Sequence, residues 1–250
     1  MGFATLADVL LAIDTSTHDA GIGVLAGGRV WERTWRSANN HGVEVLAAVD
    51  EVLKQAGSSL VAVDAIGVAT GPGGFSALRV GIATAKGIAV PCALPLVGIS
   101  TFEIEAARWW SRPGPLVAVV DAGSAGLYWA LYEDRSVGAL PGPASRLSYG
   151  VAAVDRLPAL VPQDAAFCGE IARLRGVVEA DRILSDGPAA SGASFDGSTA
   201  SPAPRRPADL LRLADARLRA GDVDDPSRLV PLYVRQPSIT RPRDPASRPG

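Results

Sequence analysis

The sequence predicts an α/β protein of two related lobes, each a mixed sheet flanked by helices. Three observations carry this. Short apolar strands alternate with amphipathic helices in the order β-β-β-α-β-α-β-α through the first 110 residues or so. The stretch 116–134, "LVAVVDAGSAGLYWALYED", then echoes 10–28, "LLAIDTSTHDAGIGVLAGG". Each has an apolar run, an aspartate (Asp14 or Asp121), a short polar turn, a glycine and a second apolar strand. Third, "ATGPGGFSALRVGIATAKGIA" (69–89) runs from strand through glycines into a helix of small residues.

Taken in order, "DVLLAIDTS" is a strand closed by polar residues, and "AGIGVLAGGRVWERTW" is two strands around the Gly27-Gly28 turn. "NNHGVEVLAAVDEVLKQAGSS" is a helix. Val45, Leu46, Val49, Val52 and Leu53 recur at helical spacing, Asn39 or Asn40 caps the start, and Gly57 marks the end. "VDAIGVATG" is a buried strand, 75–89 a helix, "LPLVGIS" a strand and "TFEIEAARWW" a short helix. In the second half "AAFCGE" and "DRILS" read as strands with "IARLRGVV" a helix between them, and "ADLLRLADARLRAG" as an amphipathic helix. The expected lobes are 1–112 and 113–235, with a flexible Gly/Ser/Pro segment at 191–207 and a disordered tail at 236–250.

Of the 250 residues 48% are hydrophobic, enough for a sizeable core. The net charge of −2 gives no general attraction to nucleic acid or anionic membrane. Two cysteines, Cys92 and Cys168, make neither a disulfide framework nor a zinc cluster. The run 9–13 is too short for a signal peptide, and no stretch approaches the ~20 apolar residues of a membrane span. The expectation is a cytoplasmic protein.

"LLAIDTST", "GVATGPGGFSALRVGIATAKGIA", "LVGISTFE", "LYWALYE" and "PLYVR" together resemble the TsaB (YeaZ) family over residues 9–235. That resemblance implies the actin-like ATPase (ASKHA, RNase H-like) fold and a non-catalytic subunit. It implies pairing with a TsaD-like catalytic paralogue and a TsaE-like ATPase to place threonylcarbamoyl on the adenosine beside the anticodon of ANN-decoding tRNAs. ATP and metal are then expected on the partner subunits, tRNA is met only through the complex, and whether the chain forms a homodimer when alone is left open. Two places depart from the family pattern: Gly74, Ser76 and Ala77 in the glycine loop, and "AGSAG" after Asp121, where an arginine-rich turn is expected.

The loop Gly71, Pro72, Gly73 and Gly74 lacks the lysine of a P-loop and the spaced glycines of a dinucleotide fingerprint. It reads as a structural turn that aims the following helix. Two stripes on that helix, Leu78, Ile82, Ala85 and Ala89 beside Ala77, Gly81, Thr84 and Ile88, suggest one core face and one partner face. Partner contacts are expected at Val45, Val49, Leu53, Ala77, Leu78, Gly81, Thr84, Ala85 and Ile88. Asp14, Thr15 and Ser16 stand where actin-like kinases hold magnesium and phosphate, and read either as a vestigial nucleotide site or as an ordered turn. His18 and His41 form no H-x-x-x-H pair, and no G-x-S-x-G occurs, so no catalytic or metal residue is assigned. The competing reading is a free-standing actin-fold enzyme, a small-molecule kinase or an M22-type peptidase.

Overall fold

The computed structural model describes residues 7–37, 41–133, 140–142, 145–146, 148–184 and 207–235. Strands β1 (Val9–Asp14), β2 (Asp19–Ala26) and β3 (Arg29–Arg36) form an antiparallel meander. Gly27 and Gly28 supply the positive φ values, 55° and 73°, of its hairpin turn. Helix α1 (His41–Gln55) ends as Gly57 enters the left-handed region and its N–H reaches the Lys54 carbonyl. The Asn39 or Asn40 cap lies outside the described residues. Strand β4 (Ala65–Gly71) is buried throughout and runs parallel to β1. Helix α2 (Phe75–Ala89), strand β5 (Leu96–Ser100) and helix α3 (Thr101–Ala107) follow. The sheet order is β3-β2-β1-β4-β5.

The second sheet, β8-β7-β6-β9, repeats that order with one strand fewer. It contains β6 (Leu116–Asp121), β7 (Leu127–Tyr132), β8 (Ser148–Ala152) and β9 (Ala166–Gly169). In both sheets the first strand pairs antiparallel with the second and parallel with the fourth. This is the actin-like, RNase H-like arrangement, and the internal echo at Asp14 and Asp121 is real in three dimensions.

Each face of the first sheet has its own cover. Val45, Val49, Val52 and Leu53 of α1 and Ile82, Ala85 and Ala89 of α2 pack on Ile13, Ile22, Val24 and Val68. The opposite face takes α4 (Pro207–Arg219), whose Leu210, Leu211, Leu213 and Ala214 meet Leu10, Ala12, Ala65 and Val97. Glycines make the seat. A Cβ on Gly67 would lie 2.7 Å from the Ala214 Cβ, and one on Gly23 2.8 Å from the Pro207 Cβ. Helix α3 serves both lobes, with Ile104 and Ala107 in the first core and Phe102 and Ala106 in the second.

The structure corrects several expectations. The first sheet ends at Ser100 and the second begins at Leu116, but α4 and Leu229, expected in the second lobe, pack on the first sheet, because its glycine-lined face fits that helix, while Val234 packs against the second core. The expected helix 171–178 is a single 3-10 turn, Ile171–Leu174, followed by Gly176 at φ 80°. Of the described residues of the expected strand 181–185, only Ile183 bridges to β9. Strand β8 has no counterpart in the sequence reading. The flexible segment expected at 191–207 lies, except for Pro207, outside the described residues, as does the tail at 236–250. No described helix is long and apolar enough to cross a membrane.

Candidate functional site

In an actin-like fold the turns after the first strand of each lobe are where phosphate and metal would be held. Here the first turn is filled from within. Asp14, 1% exposed, accepts from the Ser16 N–H at 2.9 Å and from its hydroxyl at 2.6 Å. The Ser16 carbonyl takes the Gly74 N–H at 2.7 Å, and a Cβ on Gly73 would collide with that same carbonyl. The glycine loop therefore closes onto the Asp14–Ser16 turn, and an acceptor of the chain itself stands where its amide points. Gly71, at φ 104°, lies under Leu78 and the Leu232 carbonyl. The reading of this loop as a structural turn has a concrete basis in these contacts.

The second turn is closed differently. Nη1 of Arg173 donates to Asp121 Oδ1 at 2.8 Å, to the Gly123 carbonyl at 2.7 Å and to the Gly126 carbonyl at 2.9 Å. Three oxygens around one nitrogen surround it as they would a bound cation. The Asp121 N–H is taken by Glu170 at 2.6 Å. An open depression of about 350 Å³ adjoins the loop, lined by Ser124, Gly126, Ala153, Asp155 and Arg173 among others. Asp121 and Arg173 lie 52 residues apart, so their pairing has no local sequence signal.

Between the lobes lies a buried polar group that sequence reasoning missed. Ser100 caps α3, its hydroxyl accepting from the Phe102 N–H at 3.3 Å, and Glu103 returns to the Ser100 backbone. "S-T-F-E" is a capping box, which was the available signal. Glu103 is 1% exposed and its Oε1 has no hydrogen-bond partner among the described residues. Burial pushes its carboxyl up to about 7, against the opposing pull of Arg146, of the Ser100 N–H and of Arg217. Burial likewise raises the Tyr132 hydroxyl.

The residues expected at a partner surface divide sharply. Val45, Val49, Leu53 and Ala85 belong to the first core, and Leu78 is buried over Gly71. Ala77 is 8% exposed, and Gly81 faces inward, where a Cβ would strike the Thr15 hydroxyl. The small-residue stripe through Gly81 exists to admit the Asp14–Ser16 turn, which corrects its reading as a partner contact. Thr84 and Ile88 remain half-buried at the rim. The apolar groups that these helices offer outward are Val43 (69% exposed), Leu46 (55%) and Val90 (58%). His18 is exposed on the β1–β2 turn. Among the described residues no group of three or more His, Cys, Asp or Glu is placed to hold a metal.

Two sheets of matching order, with a closed turn after each leading strand, define a two-lobed actin-like protein. The family described as "TsaD: tRNA N6-adenosine threonylcarbamoyltransferase" matches residues 35–145. The tRNA threonylcarbamoyladenosine biosynthesis protein TsaB of Escherichia coli (strain K12) is 32% identical over 126 residues, covering 50% of this chain and 54% of that protein. TsaB of Bacillus subtilis (strain 168) is 30% identical over 128 residues, covering 51% and 56%. The chain thus spans about half the length of the curated relatives it matches. The solved structure of YeaZ from Pseudomonas aeruginosa aligns with a TM-score of 0.67 at 27% identity, over 90% of this chain and 99% of that one. In fold and in sequence the chain is similar to TsaB and YeaZ.

Proposed function

We propose that this chain is the non-catalytic, activating subunit of a tRNA threonylcarbamoyladenosine-forming complex. It pairs with a TsaD-like catalytic paralogue, works with a TsaE-like ATPase, and supports N6-threonylcarbamoylation of the adenosine beside the anticodon in ANN-decoding tRNAs. The observation that carries the reading is the closure of both turns by the chain's own groups, Ser16 against Gly74 and Arg173 against Asp121. A phosphate at either turn would have to displace these groups. The names of the relatives supply the pathway, and the exposed Val43, Leu46 and Val90 supply an apolar surface for the partner.

Reconstitution tests it. Purified with TsaD-like and TsaE-like proteins, the chain should be required for transfer to an unmodified tRNA transcript, and alone should show neither transfer nor magnesium-dependent ATP hydrolysis. Leu46→Arg, a charge on the exposed side of α1, should weaken the pair by on the order of 2 kcal/mol, roughly thirtyfold in Kd. Leu160→Arg, at an equally exposed leucine in the other lobe, serves as the control. Turnover by the chain alone would favour a free-standing kinase or peptidase instead.

A further inference from the structure

Helix α2 begins with a feature that the pairing surface does not use. Arg79 is exposed, and its guanidinium carbon sits 3.8 Å over the centre of the Phe75 ring. Its Nε donates to the Tyr233 hydroxyl at 3.1 Å, and the Phe75 and Tyr233 rings lie 5.3 Å apart. Tyr233 is held in turn by the chain beside it, the Leu232 N–H reaching the Thr70 carbonyl at 2.7 Å. Among the described residues no carboxylate pairs with Arg79. An arginine normally forfeits side-chain freedom when it binds. This one is already ordered by a ring and a hydroxyl, while Nη1 and Nη2, the two nitrogens of its fork, make no hydrogen bond to the described residues. Such a fork fits the paired oxygens of an oxyanion.

We propose that Arg79, on its Phe75–Tyr233 platform, is a contact for the phosphate backbone of RNA. The charge around it favours a polyanion over a single protein carboxylate. Helix α2 carries Arg79 and Lys86 and no acidic residue. Exposed Arg235 follows Tyr233 by two positions, and the sequence beyond it adds Arg241, Arg243 and Arg248 against Asp244 alone. The acidic turn at Asp225 lies within electrostatic reach of Lys86 and Arg228. A fixed fork on a helix without acidic residues suits a phosphate of a polyanion, where each contact releases a condensed counterion. The choice of RNA rests on the tRNA reading above; the positioned fork does not.

The test is binding of the full chain to an unmodified transcript of an ANN-decoding tRNA, followed across a salt series. Arg79→Gln should weaken binding about five- to tenfold and reduce the slope of log K against log salt by about 0.7–0.9, the signature of one lost phosphate contact. Tyr233→Phe keeps the charge and releases Nε, so affinity should fall about two- to threefold with the slope unchanged. Should Arg79→Gln fail to fold, Arg79→Lys takes its place: charge kept, fork and stacking lost, with lower affinity at an unchanged slope expected. An unaltered slope in folded Arg79→Gln, wild-type affinity in folded Arg79→Lys, or no RNA binding by the wild type at low salt would overturn the proposal. Loss of affinity for the catalytic partner, with RNA binding intact, would assign the fork to a protein carboxylate and overturn it too. Transfer that still requires the chain while RNA affinity ignores Arg79 would leave the subunit reading standing and end this one.

Discussion

Gly81→Ala asks whether the small-residue stripe of α2 belongs to the core or to an interface. A methyl group at Gly81 would lie 3.5 Å from both Cβ and Cγ2 of Thr15 and closer to its hydroxyl oxygen than non-bonded atoms approach. That hydroxyl cannot step aside cheaply, because it donates to the Ala77 carbonyl at 2.6 Å and Thr15 is 1% exposed. Overpacking of this kind costs about 1–3 kcal/mol, while glycine to alanine inside a helix returns about 1 kcal/mol. The net expectation is a destabilisation of up to about 2 kcal/mol, or a few degrees in Tm for a chain of this size. The informative assay is a double-mutant cycle with Thr15→Ala, read by chemical denaturation. Removing the hydroxyl and methyl of Thr15 makes room, so the pair should be non-additive by at least about 1 kcal/mol in the rescuing direction. Additivity, or a Gly81→Ala protein that keeps its stability but loses partner affinity, would refute the core assignment.

Two further outcomes follow from the buried and bridged charges. The Glu103 carboxyl, raised from 4.5 to about 7, keeps in the folded state a proton that the unfolded chain has already released. Stability should therefore fall as pH rises between those values, by at most about 1.4 kcal/mol per pH unit. Glu103→Gln, whose amide oxygen still accepts from Ser100, should flatten that fall and gain stability at pH 8; denaturant midpoints at pH 5, 6 and 8 decide, and an unchanged slope refutes it. Arg173→Gln should open the Asp121–Gly126 turn, speeding hydrogen exchange at its amides at a global cost of about 1 kcal/mol, since the ion pair is half exposed. Protection equal to wild type would show that the turn holds itself.

The first lobe was legible because its strands and helices keep clean periods and its turns carry glycines in left-handed backbone, as at Gly27, Gly28 and Gly57. What failed was long-range. A stripe of small residues marks a close approach without saying to what, and at Gly81 the answer is a turn 66 positions earlier. The amphipathic pattern of α4 was plain, but its seat depends on Gly23 and Gly67, far upstream. "IARLRGVV" has helical spacing, yet Ile171 and Leu174 are anchored in the second core and Gly176 breaks the period, so one turn forms. Of the site, the two aspartates and the glycine loop were visible. Arg173, Arg79 and the Glu103 network became meaningful only once chain-distant partners had met them.

The placement of α4 has a consequence for biosynthesis. Strands β1 to β5 are complete by Ser100, but apart from the contacts of Ile104 and Ala107 in α3, one face of their sheet stays bare until the chain reaches Arg219. At about 5–20 residues per second, those 119 intervening residues take on the order of ten seconds to translate. The second lobe, whose described strands run from Leu116 to Gly169, is finished within that interval. The lobe that the ribosome begins first is thus the last to close, and a ribosome stalled before α4 would hold out an open apolar sheet beside a folded neighbour.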